Sequence, residues 1–166
     1  MTPADRLRPA RVSDHAQLSA LHRRAALANA QDRAALLAHP HALDLPREPI
    51  EAGQVLVLER GSDIVGFVSV QPKKPGTRDV SALFVDPDLW NQGLGRKLID
   101  AASLQSAMAG DGVLELTGNP QARGFYQACG FEETGTAQTE FGTALQMQLN
   151  IDQQNKQIQQ GTARLS

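Results

Sequence analysis

A single cysteine, Cys129, stands among 166 residues. That scarcity excludes an internal disulfide framework and any zinc site built on cysteines, and it fits a reducing compartment. Aromatic side chains make up only 4% of the chain, with one tryptophan and one tyrosine, so a core has to be built from aliphatic residues. Charge of one sign is also missing. Sixteen basic side chains against eighteen acidic ones leave a net charge of −2, and nothing in that balance draws the protein to nucleic acid or to an anionic membrane. No apolar run approaches the ~20 residues that a bilayer crossing needs, and the opening MTPADRLRPA lacks the apolar stretch of a secretory signal. The expected setting is cytoplasmic, with no nucleic-acid or membrane partner.

The rest of the composition, 41% hydrophobic and 20% charged, is ordinary for a globular chain, and the length suits one compact domain. The predicted organisation is a domain over residues 1–150 and a tail over 151–166, where five glutamines fall between Gln153 and Gln160. The tail reads either as a flexible terminus or as a short helix that docks on a partner subunit. Residues 1–40 hold six arginines and three aspartates, whereas the remainder is net acidic; a helical pair with basic, solvated edges explains the asymmetry.

Hydrophobic spacing predicts a mixed order of helices and strands. Leu18, Leu21 and Ala25 recur at helical intervals behind the capping candidates Ser13 and Asp14. Helix-forming residues continue to Leu37, and prolines 40, 46 and 49 then interrupt the chain. Val55–Leu58, Ile64–Val70 and Val80–Val85 read as an antiparallel meander, its first two runs joined through Arg60-Gly61-Ser62-Asp63. Leu94, Leu98, Ala101, Leu104 and Met108 form the expected apolar stripe of a long helix, with Arg96, Lys97, Asp100 and Ser103 outside it. A short strand over Val113–Leu116, a helix capped by Asn119 and stopped by Gly130, and a half-buried strand through Thr143–Leu149 complete the reading.

The chemistry is concentrated where the third strand runs through Asp86-Pro87-Asp88-Leu89-Trp90-Asn91-Gln92 into Gly93-Leu94-Gly95-Arg96-Lys97. The first N–H groups of a helix have no intrahelical partners, glycines let a backbone approach an anion, and Arg96 or Lys97 adds charge, so this turn can bind phosphate. Two nucleotide fingerprints fail here. The dinucleotide motif requires a third glycine where Leu98 stands, and the phosphate loop of nucleotide hydrolases requires an absent Gly-Lys-Ser/Thr. One strand later comes Asn119-Pro120-Gln121-Ala122-Arg123-Gly124-Phe125-Tyr126, closed by Gly130-Phe131.

With both segments in register, the sequence resembles the GNAT family of acetyl-CoA-dependent N-acetyltransferases. The first signature is carried by Val85, Pro87, Gly93 and Gly95, and the second by Asn119, Ala122, Phe125, Tyr126, Gly130 and Phe131. The resemblance covers about residues 6–150 and is strongest over 80–131. It implies an α/β (α+β) fold with a central mixed, mostly antiparallel sheet of roughly six to seven strands, flanked by about four helices and splayed at the acyl-CoA cleft. It further implies direct transfer of acetyl from acetyl-CoA to a primary amine of a small molecule, peptide or protein, with no metal. A homodimer stays open, as does a noncatalytic acyl-CoA-binding regulatory module on the same fold.

The cofactor residues so implied are Leu83, Phe84 and Val85 at the strand end, then Asn91, Gln92, Gly93, Leu94, Gly95, Arg96 and Lys97, then Asn119 and Phe125. Tyr126 is the implied proton donor to the departing thiolate. Trp90 departs from the family by standing where an arginine or glutamine is usual. Asp79, Glu115, His39 and His41 remain alternatives for the general base. His39 and His41 lack a nearby third ligand and read as loop residues rather than a metal site. Cys129 reads as a small buried thiol. The proline-containing stretch His39–Ile50 is predicted to wall the amine pocket.

Overall fold

The computed structural model describes residues 4–151, and the Gln-rich stretch over 152–166 lies outside them. Among the described residues seven strands are formed, β1 (Asp5–Pro9), β2 (Val55–Arg60), β3 (Asp63–Lys74), β4 (Thr77–Val85), β5 (Val113–Gly118), β6 (Glu132–Thr139) and β7 (Gly142–Asn150). The α-helices among the described residues are α1 (His15–Ala28), α2 (Ala30–Ala38), α3 (Glu48–Glu51, a single turn), α4 (Leu94–Met108) and α5 (Arg123–Ala128). The strand order is β1-β2-β3-β4-β5-β7-β6, a mixed α/β architecture. The chain divides into two compact units, one made of residues up to Val70 together with Ala82–Ala101, the other of Gln71–Ser81 together with the chain from Ala102 onward.

In the first unit, β1 pairs antiparallel with β2, and β2 with β3 across the Arg60–Asp63 hairpin. Its core gathers Leu18 and Leu21 from α1, Ile50 from α3, Val55 and Val57 from β2, and Ile64 and Phe67 from β3. Both α1 residues are among the three that the helical spacing singles out. Phe67 is fully buried, and its truncation to alanine would cost about 3–5 kcal/mol.

β1 has no counterpart among the sequence expectations, because Asp5-Arg6-Leu7-Arg8-Pro9 carries no alternating apolar pattern. Charge pairs complement its ladder. Arg8 donates from Nε to Glu59 at 2.8 Å and forks onto both oxygens of Asp14, while Arg60 donates to Asp5 at 2.8 Å. Arg60 and then Lys97 hold the Asp5 carboxyl down at about 2.

In the second unit, β5 pairs antiparallel with β7, and β7 with β6. Leu114, Leu116, Leu145, Met147, Leu149 and Phe131 are buried, and the alternation that predicts β7 is observed along it. β6 escapes the sequence reading because Glu132-Glu133-Thr134-Gly135-Thr136-Ala137-Gln138-Thr139 is exposed almost throughout and needs no apolar face. The parallel pairing of β4 with β5 comprises Thr77–Val113, Arg78–Leu114 and Asp79–Glu115.

Helix α4 keeps its predicted span, but its buried face differs. Leu94, Leu98, Ile99, Ala102, Ser103 and Ser106 are buried, while Leu104 and Met108 are 56% and 81% exposed. Small side chains allow close packing on this face. The Ser106 hydroxyl donates to the carbonyl of Ala102 at 2.8 Å, so burying it leaves no unmet donor.

Candidate functional site

Within the first unit, the turn after β4 is built by short-range bonds. Asp86 caps the 3-10 turn Pro87–Leu89, its carboxylate accepting from the N–H of Asp88 at 3.0 Å, and the N–H of Leu89 returns to the Asp86 carbonyl at 2.9 Å. The Trp90 indole N–H donates to the carbonyl of Val85 at 2.9 Å. Asn91 and Gly93 then take positive φ values of 66° and 80°, which aims the chain into α4. No heavy atom lies within 4 Å of a Cβ built on Gly93, so the space beside that backbone is open. The first amides of the 15-residue α4 point out of its N-terminus without intrahelical acceptors.

Of the residues expected to hold the cofactor, Leu83, Phe84, Val85, Asn91, Gln92, Gly93, Leu94, Gly95, Arg96 and Lys97 all fall in this unit. Their side chains are committed differently. Phe84 packs at 5.7 Å from the Phe67 ring and 4.6 Å edge-on from His22, which leaves only its backbone for a ligand. Lys97 donates to Asp5 at 3.0 Å. Leu94 is buried. Arg24, which the sequence reading did not single out, donates to Asp86 at 2.7 Å and ties α1 to the start of the turn.

Asn119, Phe125 and Tyr126 fall in the second unit. The Asn119 side chain accepts from the N–H of Gln121 at 2.9 Å, as a capping residue does. Phe125 is 38% exposed. The Tyr126 ring packs edge-on against Phe125 at 5.1 Å and Phe131 at 5.6 Å. Burial, with a smaller contribution from Cys129, pushes its phenol up to about 12, so at neutral pH it carries a proton that it can donate.

Asp79 and Glu115, two of the base candidates, face each other in the parallel register and are driven apart electrostatically. Lys73 donates to Glu115 at 2.6 Å, with Lys74 at 3.6 Å, and this holds Glu115 below the usual carboxylate range. Burial raises Asp79; Lys73 opposes that shift and Glu115 adds to it. One carboxylate is thus anchored as an anion while its neighbour is made the better proton acceptor. His39 and His41 lie in the first unit, their rings 5.9 Å apart. Among the described residues, no group of three or more His, Cys, Asp or Glu could hold a metal ion, and no helix is long and apolar enough to cross a membrane.

Two histidines that the sequence reading passed over, His15 and His22, bond to main-chain carbonyls of the 39–50 stretch. Their signal was the seven-residue interval that sets them on the same side of α1.

Comparison with known proteins agrees with this architecture. A family profile described as an acetyltransferase (GNAT) domain matches residues 51–133. A peptidyl-lysine N-acetyltransferase, YjaB of Salmonella typhimurium, is 38% identical over 61 residues, a match that spans 37% of this chain and only 41% of that relative. Among solved structures, the PaiA N-acetyltransferase of Thermoplasma acidophilum in complex with coenzyme A superposes with a TM-score of 0.74 at 16% identity, covering 89% of this chain and 99% of the other. YncA of Salmonella typhimurium, solved with its cofactor acetyl-CoA, gives 0.69 at 22% identity, covering 89% and 94%. At such identities the superpositions speak for the fold alone. The profile match, which takes in half of the sequence and includes both the turn after β4 and the Asn119–Phe131 segment, shows that the chain belongs to the GNAT acetyltransferase family.

Proposed function

We propose that this protein transfers an acetyl group from acetyl-CoA directly to a primary amine of a small molecule, peptide or protein. The observation that carries the reading is the turn from Val85 to Leu94, with Gly93 at φ 80° opening into α4. Exposed helix-terminal amides suit a pyrophosphate, and the open space beside Gly93 lets it approach.

In this reading the pantetheine arm pairs with strand backbone at Leu83–Val85, and a nearby N–H polarises the thioester carbonyl. A neutral amine nitrogen attacks that carbonyl carbon. The C–N bond forms, the C–S bond breaks, Asp79 takes the proton that the nitrogen loses, and Tyr126 gives its phenolic proton to the departing thiolate. Asn91, Gln92, Gly95, Arg96 and Lys97 complete the phosphate end, with Asn119 and Phe125 flanking the acid. The stretch His39–Ile50 walls the acceptor amine. A cytoplasmic setting suits the buried Cys129, which forms no disulfide.

The test is transfer itself. Purified protein is mixed with acetyl-CoA and a panel comprising a polyamine, free amino acids, a lysine peptide and a peptide with a free N-terminus. The expected result is CoA thiol released in step with an acetylated product seen by mass spectrometry. Tight CoA binding with no product from any amine would replace the enzyme by a noncatalytic acyl-CoA-binding regulatory module.

A further inference from the structure

The stretch between α2 and β2 is poorly able to satisfy its own backbone. In a helical turn the carbonyl of residue i accepts from the N–H of i+3 or i+4. Position i+3 from Leu43 is Pro46, and position i+4 from Leu45 is Pro49, neither of which has an N–H to give, so each carbonyl keeps a single helical donor position, Arg47 for Leu43 and Glu48 for Leu45. The 3-10 turn Pro40–Leu43 closes with Asp44 N–H on the His41 carbonyl at 3.2 Å, and α3 then starts at Glu48. Among the described residues no main-chain donor reaches the carbonyls of Leu43 and Leu45. Leu43 is nonetheless only 3% exposed, and an unmet carbonyl there would be costly.

Helix α1 supplies the missing donors from side chains. His15 Nε2 lies 2.8 Å from the Leu45 carbonyl, and His22 Nδ1 lies 3.2 Å from the Leu43 carbonyl. A carbonyl can only accept, so each of these ring nitrogens carries the proton. The Ser19 hydroxyl lies 3.4 Å from the same nitrogen of His15. Seven residues, two helical turns, separate the histidines, so two rungs fasten one segment to one helix face. His22 is also wedged edge-on against Phe84 at 4.6 Å. A single buried side chain therefore touches both the strand assigned to the cofactor and the segment assigned to the acceptor. Beyond the second rung Leu45 packs against the core cluster and Ile50 belongs to it, leaving Asp44, Pro46 and Arg47 exposed between fixed points.

We infer that His15 and His22 are positioning residues which set the acceptor wall, holding Leu43–Arg47 at a fixed height on α1 and, through Phe84, in register with β4. The inference rests on the proposed acetyl transfer for its functional half and on geometry alone for its structural half.

Each histidine uses a different ring nitrogen, and this makes the test specific. An asparagine amide nitrogen occupies the place of Nδ1, and a glutamine amide nitrogen that of Nε2. Two readouts are taken on His15→Ala, His15→Gln, His15→Asn, His22→Ala, His22→Asn and His22→Gln. The first is the rate of trypsin cleavage after the exposed Arg47. The second is steady-state kinetics with acetyl-CoA and an N-terminally blocked lysine peptide.

Both alanine variants should be cut at Arg47 at least threefold faster than wild type and show a peptide KM raised about fivefold, with the KM for acetyl-CoA within twofold. His22→Asn and His15→Gln should restore both values, whereas His22→Gln and His15→Asn should not. Unchanged cleavage, or equal rescue by either amide, overturns the clamp. Faster cleavage with an unmoved peptide KM overturns its role in acceptor positioning. If wild type acetylates no amine, the transferase reading fails by itself, and the cleavage pattern still decides whether the clamp exists.

Discussion

Trp90 folds back on the strand that precedes it, its indole N–H 2.9 Å from the carbonyl of Val85. At a position where the family usually places an arginine or glutamine, this chain thus has a side chain that bonds to its own turn. That bond ties the turn back to the end of β4 from within.

Trp90→Phe keeps an aromatic ring and deletes the donor. Acetyl-CoA affinity should weaken by about 0.5–1.5 kcal/mol, the usual net worth of one hydrogen bond, as measured by calorimetry. Because Trp90 is the only tryptophan and is 44% exposed, its emission should also change as CoA is titrated. A flat titration at saturating CoA would detach the turn from the binding site.

Gly93 has φ 80° with open space around it, so a side chain there costs backbone strain of about 1–3 kcal/mol rather than a clash. Gly93→Val should weaken acetyl-CoA binding at least tenfold. Gly76 provides the control, because its φ of 77° and open surroundings match while it lies in the β3–β4 hairpin. Gly76→Val should lose comparable stability by thermal melting and keep its CoA affinity. Equal affinity losses in the two variants would mean that global destabilisation, not the turn, is being read.

Tyr126→Phe preserves the contacts of the ring with Phe125 and Phe131. Thermal stability and acetyl-CoA affinity should hardly move, while kcat falls about 10²-fold or more, the scale of a positioned acid. With the phenol held near 12, activity should show no loss from deprotonation of this group up to about pH 10. A kcat within threefold of wild type under chemistry-limited conditions would return Tyr126 to packing.

Asp79→Asn separates stability from activity. The folded-state pKa of Asp79 is raised by burial, so the group favours the native state below its unfolded value of 3.8 and loses that contribution as pH rises through the folded value. At neutral pH the ionised carboxylate is a net cost. The asparagine variant should therefore melt at or above the wild-type temperature at pH 7, with kcat down about 10²-fold. A matched loss of stability and kcat would mark Asp79 as structural.

His22 has the opposite sign. Burial lowers its pKa below 6.5; Arg23 lowers it further, while the Leu43 carbonyl and Asp44 oppose. The unfolded chain takes up this proton first, so the stabilising neutral state is fully present above pH 6.5 and its contribution is lost as pH falls toward the folded value. Melts at pH 7.5, 6.5 and 5.5 should show a decline that His22→Asn flattens, and an identical decline in the variant would assign it to other groups.

Sequence alone determined the features that a few neighbouring residues can encode. The span of α4, the cap at Asn119, the hairpin at Arg60–Asp63 and the alternation of β7 are each dictated by local backbone preference or by a repeat of two or three to four residues, and they could be read without the fold. The two signatures around Gly93 and Tyr126 were legible for the same reason. Other features required the tertiary structure. β1 and β6 have too little apolar character to announce themselves and exist as strands because neighbouring strands offer them backbone partners. The buried face of α4 takes in Ala102, Ser103 and Ser106 beside Leu94, Leu98 and Ile99, and two buried serines carry no apolar signal that a sequence pattern could show. Lys73 meets Glu115 across 42 residues, and register alone sets Asp79 opposite that same carboxylate. His15 and His22 reach carbonyls 30 and 21 residues away. Hydrogen bonds and Coulomb interactions depend on distance in space, which the chain acquires only when its strands find their register and α1 settles on its core.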